Sequence, residues 1–367
     1  MVRFRFIKRI GQPMFAIPIR AVASVAALTL LLSGCGGSSG SSSSGAASTS
    51  TPGTATGDGT GSTTTTTPPP SNTQNGGAPN APVNPPTNTP APPAPPTTPP
   101  TSPPVAPVAK SAKRGVAYDM ADPLDFAALS PGVSWWYNWG SQPNKAVPAD
   151  YVAQYGMDYY PMLWNGTYNA TAVEAYLTAN TNIKYLLVLN EPNLTDQSNL
   201  TPAQAAAIWP GFEAISAHTG VKIVGPQITW GTMQGYQDPV VWMDAFIAAY
   251  QAANNGRSPQ IDYLAFHWYD YGLSGQLDRL TKYGKQFWVT EFANWHSQND
   301  GAQIDTLAKQ EAQMKDMVAT CESRADVVRY SWFTGRMSND VHFTSLLGTA
   351  GQLTDLGKLY ISLPYTK

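Results

Sequence analysis

Two glutamates stand out for where they fall in the chain. Glu191 closes the apolar run Tyr185-Leu-Leu-Val-Leu-Asn190, and Glu291 closes Phe287-Trp-Val-Thr290. A short apolar run halted by polar residues or a breaker such as Pro192 reads as a strand buried on both faces. Each carboxylate is thus expected where a buried strand emerges. The other four glutamates, Glu174, Glu213, Glu311 and Glu322, lie in or at the end of helical patterns and read as solvated faces.

Two carboxylates facing one cleft are the minimum equipment for cleaving a glycosidic bond. One is held protonated to donate to the departing oxygen; the other is ionised and stabilises or attacks the oxocarbenium-like carbon. A gap of about 5 Å gives retention through a covalent intermediate, and roughly 6.5–9.5 Å leaves room for water and gives inversion. The competing reading pairs both acids with Arg114, Arg329 or Arg336 in salt bridges that stitch the rim.

The neighbouring residues fit carbohydrate better than a salt-bridge network. Trp135-Trp136-Tyr137-Asn138-Trp139, Tyr159-Tyr160-Pro-Met-Leu-Trp164 and His267-Trp268-Tyr269 end candidate strands, Trp295 and His296 follow Glu291, and Trp332 ends the last strand. Sugar rings offer apolar C–H faces to aromatics and hydroxyls to Asn, His and Tyr. These clusters nominate Trp136, Asn138, Trp164, His267, Tyr269, Trp295 and Trp332 as sugar-binding candidates, and Tyr118, at the end of the first strand candidate, joins them. Alternation along each strand sends about half of such rings towards the helices instead.

The elements that must position these groups lie in residues 111–367. Eight strand candidates occur there: 114–118, 133–138, 158–164, 185–190, 222–225, 263–268, 287–291 and 327–333. Helical patterns at 170–180, 202–218, 239–253, 274–283 and 304–321 lie between them, with short marginal ones near 122–129 and 148–155. Eightfold strand–helix alternation over about 255 residues predicts an α/β fold, a single (β/α)8 barrel whose strand ends share one rim. An open doubly wound sheet would want a Gly-rich phosphate turn after its first strand, and Tyr118-Asp-Met-Ala-Asp-Pro123 has no glycine.

Composition narrows the partners. A net charge of -2 with 13% charged residues gives no reason to expect nucleic acid. Cys35 and Cys321, the only cysteines, exclude a disulfide framework, and the four histidines show no metal-ligand spacing, so no metal or other cofactor is expected. Cys321, His218 and His342 read as structural or surface residues. A monomer is expected.

Residues 1–35 read as a targeting segment, with a basic start, an apolar stretch from Ala21 to Leu32, and Leu32-Ser-Gly-Cys35, which resembles a bacterial lipobox. That resemblance implies lipidation of Cys35, a membrane link through the lipid alone and, with no Asp after the Cys, an outer-membrane destination. Residues 36–110 are Gly/Ser, then Thr, then Pro/Thr/Ala, too poor in apolar side chains to offset chain entropy, and read as disordered linker.

The ordered set Arg114-Gly-Val-Ala-Tyr118, Pro131-Gly-Val-Ser-Trp-Trp-Tyr-Asn-Trp-Gly140, Pro161-Met-Leu-Trp164, Asn190-Glu-Pro-Asn193, Asn199-Leu-Thr-Pro202, His267-Trp-Tyr269 and Thr290-Glu-Phe-Ala293 resembles glycoside hydrolase family 128 of clan A. The resemblance implies a TIM barrel that hydrolyses β-1,3-glucan, usually within the chain and with retention. It implies Glu191 as acid/base, Glu291 as nucleophile and Asn190 as partner of the hydroxyl beside the reacting carbon. Tyr269 or His267 would orient the nucleophile, and Trp332 would form the floor of the reacting subsite. A glucan-binding protein with little turnover, an exo-acting member of the family and an adhesive lipoprotein are the alternatives.

Overall fold

The computed structural model describes residues 109–366. The expected targeting segment, Cys35 and all of the expected linker but its last two residues lie outside that range. Lys110, in the expected linker, already joins the fold: its ammonium donates to the carbonyls of Ser130, Val133 and Tyr155 at 2.7–3.1 Å.

Strands and helices alternate as β1 (Arg114–Ala117), α1 (Pro123–Leu129), β2 (Trp135–Tyr137), α2 (Tyr151–Tyr155), β3 (Asp158–Tyr159), β4 (Met162–Leu163), α3 (Ala170–Ala179), β5 (Tyr185–Val188), α4 (Pro202–Thr219), β6 (Lys222–Ile228), α5 (Pro239–Ala253), β7 (Tyr263–Trp268), α6 (Leu273–Leu280), β8 (Phe287–Phe292), α7 (Leu307–Ser323), β9 (Val327–Trp332) and α8 (Asp355–Ser362). All pairings between these strands are parallel, in the order β3-β2-β1-β9-β8-β7-β6-β5-β4. The expected strand 158–164 is split, because Pro161 has no N–H to continue a ladder. Its first half pairs with β2 and its second with β5. Tyr160 N–H donates to the Trp136 carbonyl and the Pro161 carbonyl accepts from Leu187 N–H, so this one segment joins both ends of the sheet and closes the ring.

Local signals set the helix ends. Asp122 and Asp238 cap α1 and α5 ahead of a proline at the first turn, and Thr201 with Gln204 forms a capping box on α4. The marginal patterns are real helices, and the unforeseen α8 starts on a Thr354 cap. Strand β6 runs past its expected end, through Gly225-Pro226 to Ile228, with a register irregularity between Val224 and Gln227.

The core has two layers. Side chains such as Phe126, Trp136, Trp209, Phe246, Phe266 and Trp332 fill the space between strands and helices. Inside the barrel lie Ala117, Trp135, Tyr137, Tyr160, Met162, Leu187, Val224, Ala265, Trp288 and Phe333. Gly115 admits the Trp135 ring, since a Cβ there would come 2.3 Å from its Cε2 atom. At the N-terminal end of the strands the Arg329 guanidinium lies 5.2–5.6 Å from the ring centroids of Tyr160, Tyr185 and Trp288. Arg114, buried at the same end, donates to Tyr330 Oη and to the carbonyls of Tyr360, Leu363 and Pro364, tying β1 to the chain's last residues.

Candidate active site

Glu291 reaches the cleft through a β-bulge. Phe266 pairs with Val289 but His267 with Glu291, and on the other side Val289 pairs with Tyr330 but Phe292 with Trp332. One extra residue in β8 turns both Thr290 and Glu291 away from the helices. Thr290 Oγ1 donates to Gln227 Oε1 inside the barrel. Glu291 projects above it, 4% exposed.

Glu191 is set by a different device. Leu189 and Glu191 both take left-handed backbone, at φ 56° and 43°. Such a conformation costs a non-glycine residue about 1–2 kcal/mol. It is held by Gln227, whose N–H donates to the Leu189 carbonyl and whose carbonyl accepts from Glu191 N–H at 2.9 Å.

The two acids meet across His267. Its Nδ1 lies 3.1 Å from Glu191 Oε1 and 3.4 Å from Glu291 Oε2, and one carboxylate oxygen of each glutamate lies within 4.8 Å of the other. None of Arg114, Arg329 or Arg336 pairs with either acid; Arg114 pairs with Glu322 and Arg336 with Asp125. The salt-bridge reading therefore fails.

The acids differ in their donors. Glu291 Oε1 accepts from Tyr137 Oη at 2.9 Å and from the Trp139 indole N–H at 2.7 Å, and Oε2 accepts from Tyr269 Oη. Glu191 has His267. Burial, with the neighbouring carboxylates, holds the phenols of Tyr137 and Tyr269 well above their ordinary range, so both remain donors. Burial raises the Glu291 carboxyl above the usual carboxylate range; His267 opposes it, Glu191 adds to it, and the bonds from Tyr269 and Trp139 pull it down. Burial depresses the His267 imidazole, but both glutamates outweigh it and the ring titrates above its ordinary value.

Proximity alone would let Glu191, His267 and Glu291 share a cation. Three hydrogen-bond donors already face the Glu291 oxygens, however, and a cation there would meet their hydrogens.

The remaining predicted residues divide. Asn190 is buried beside Glu191, with Nδ2 donating to Gln197 Oε1 and Oδ1 without a partner among the described residues. Both residues left open on β7 and just beyond it touch the acids: Tyr269 bonds Glu291, and His267 lies between the pair. Trp295 stacks on Tyr269 at 4.3 Å, fixing that phenol. Tyr118 and Trp164 are half-buried where β1 and β4 end; Arg336 holds the Tyr118 hydroxyl, and Gly335 lies against its ring.

Three candidates are corrected. Trp136 is fully buried on the helix side, against Phe126, Tyr151 and Tyr159. Asn138 is saturated: its amide donates to Asp119 and the Gln142 carbonyl, and its oxygen accepts from Gly140 N–H and Tyr159 Oη. Trp332 is fully buried against Phe292 and Tyr360, so it is no floor for a sugar; Phe333 faces the barrel and packs on Trp139, Tyr269 and Trp295.

Tyr137 and Trp139, absent from the predicted set, lie on the opposite parity from the predicted Trp136 and Asn138. A signal was present in Gly115, since a glycine inside a strand marks a place where another group approaches the backbone closely, here a ring. That ring belongs to Trp135, which puts Tyr137 and Trp139 on the same inner face.

The family model for the glycosyl hydrolase catalytic core matches residues 115–360. An endo-β-1,3-glucanase of glycoside hydrolase family 128, subgroup II, from Pseudomonas viridiflava is 61% identical, with TM-score 0.70; the match covers 70% of this chain and 100% of that one. A second subgroup II endo-β-1,3-glucanase, from Sorangium cellulosum, is 34% identical with TM-score 0.60 and the same coverage. A subgroup III curdlan-specific exo-β-1,3-glucanase from Blastomyces gilchristii is 30% identical with TM-score 0.51, again over 70% of this chain and 100% of that one. No curated protein matches.

Proposed function

Because the chain belongs to glycoside hydrolase family 128, we propose that it hydrolyses β-1,3-glucan internally and with retention of configuration. In this reading Glu191 protonates the glycosidic oxygen while the Glu291 carboxylate attacks the anomeric carbon. Glu191 then takes a proton from the water that releases the glycosyl-enzyme. The observation that carries the roles is the asymmetry of donors. Three hydrogen-bond donors converge on Glu291 and pull it towards the carboxylate against burial, whereas Glu191, with His267 as its one side-chain partner among the described residues, is free to pass a proton. A separation within 4.8 Å suits direct attack better than an intervening water.

Asn190 Oδ1, buried and unpartnered among the described residues, is suited to accept from the hydroxyl next to the reacting carbon. Phe333, Trp295 and Tyr269, packed on one another beside Glu291, supply apolar faces for a sugar ring. Internal cleavage is favoured over release of terminal sugars because the subgroup II relatives, at 61% and 34% identity, are endo-acting. A lipid anchor at Cys35 with an outer-membrane destination completes the proposal; incorporation of labelled palmitate, lost in Cys35→Ala, checks it.

The test of the reaction is proton NMR of linear β-1,3-glucan during hydrolysis. The first new reducing ends are expected as the β-anomer, with viscosity falling well before free glucose accumulates. α-Anomer first would overturn retention, and glucose from the outset would overturn internal cleavage.

A further inference from the structure

Trp230 stands just past β6, 37% exposed and outside both packed layers. An exposed indole would ordinarily be free to change rotamer, but this one is held on two sides. Its Nε1–H donates to Gln276 Oε1 at 3.0 Å, and the Arg279 guanidinium lies 5.3 Å from its ring centroid. Arg279 is itself fixed, by Gln276 Oε1 and by Asp238, the cap of α5. Two turns of α6 therefore clamp one surface tryptophan, satisfying its only polar group and covering part of its ring, while more than a third of the residue stays in water.

The loop that carries this residue is built onto the acid/base flank. Asn193, two residues past Glu191, donates to the Thr229 carbonyl at 2.6 Å, and its own carbonyl accepts from Thr232 and Met233 N–H. A Cβ at Gly231 would lie 2.0 Å from the Asn193 oxygen, so the two loops touch backbone to backbone. Tyr271, 37% exposed, borders the start of the same α6.

We propose that Trp230 is an outer binding platform for the glucan chain on the leaving-group side, beyond the sugars held in the cleft. The inference rests on the reaction proposed above, in which the leaving group departs on the side of Glu191. A rigid, flat, apolar surface with no unmet hydrogen-bonding group suits the C–H face of an uncharged pyranose. The platform serves long chains and lies out of reach of short ones.

The test compares the intact chain with Trp230→Ala and Trp230→Phe on polymeric β-1,3-glucan and on a four-sugar β-1,3-oligosaccharide. Trp230→Ala is expected to raise KM for the polymer about 3- to 10-fold and to leave kcat/KM for the oligosaccharide unchanged, and Trp230→Phe to keep most of the polymer affinity. Equal losses on both substrates, or no change on the polymer, overturn the platform. Retention on insoluble glucan is compared between Glu291→Gln and Glu291→Gln with Trp230→Ala, which reads binding without turnover. Weaker retention of the double variant upholds the platform even if the wild type cleaves neither substrate, and equal retention removes it.

Discussion

The indole N–H of Trp139 donates to Glu291 Oε1 over 2.7 Å, from a residue whose own backbone is left-handed at φ 60°. An unfavourable conformation is thus kept where it delivers a donor to a buried carboxylate. Trp139→Phe keeps an aromatic ring, smaller than the indole, and deletes the bond. Hydrogen bonds to charged groups are worth about 1.5–3 kcal/mol, so kcat/KM for β-1,3-glucan is expected to fall about 10- to 100-fold while the melting temperature changes little. An unchanged rate would remove Trp139 from the site.

Tyr269→Phe separates the two residues that touch Glu291 from the β7 side. The phenol pulls the Glu291 carboxyl down against burial. Without it the carboxyl ionises at higher pH, and the acid limb of kcat/KM is expected to move upward. A shift to lower pH, or none, would mean the bond does not govern the proposed nucleophile.

Glu191→Gln and Glu291→Gln should each lower turnover of glucan by about 10³-fold or more with retention on insoluble glucan preserved. Full activity in either variant sinks the corresponding role.

The raised His267 and Glu291 groups act on stability with one sign. In each, the folded state binds its proton at a pH where the unfolded chain has released it, so stability falls as pH rises through the folded values. The unliganded protein should lose melting temperature as pH rises above the ordinary range of each group, and Glu291→Gln should flatten that fall by removing one titration and weakening the other. Parallel curves for wild type and variant would contradict it.

Arg336 clamps the rim below Tyr118. Its guanidinium binds both oxygens of Asp125, the Tyr118 hydroxyl and the carbonyls of Gly348 and Thr349. Arg336→Ala strands a carboxylate that is 1% exposed, costing about 3 kcal/mol or more. A melting temperature lowered by roughly 6–12 °C is expected, with part recovered by adding Asp125→Asn.

The barrel was legible from alternation, and the two acids from their place at the ends of apolar runs. What the sequence hid were phase changes. A bulge at Thr290 and an irregular β8–β9 register decide which aromatic faces the cleft, so Phe333 takes the place expected of Trp332. Along β2 every residue is aromatic, and composition gives no clue to parity; the registered neighbour Gly115 does. The donors on Glu291 are long-range meetings that no local pattern encodes.

The stopper of Arg329 and three rings at the far end has a consequence for traffic. The barrel offers no exit tunnel, so a polymer cannot be drawn through it and clipped like thread through a needle. On the proposed reaction, strands of glucan lie across the mouth and both fragments leave by the way they came. Successive cuts on one chain then require sliding or rebinding at the rim.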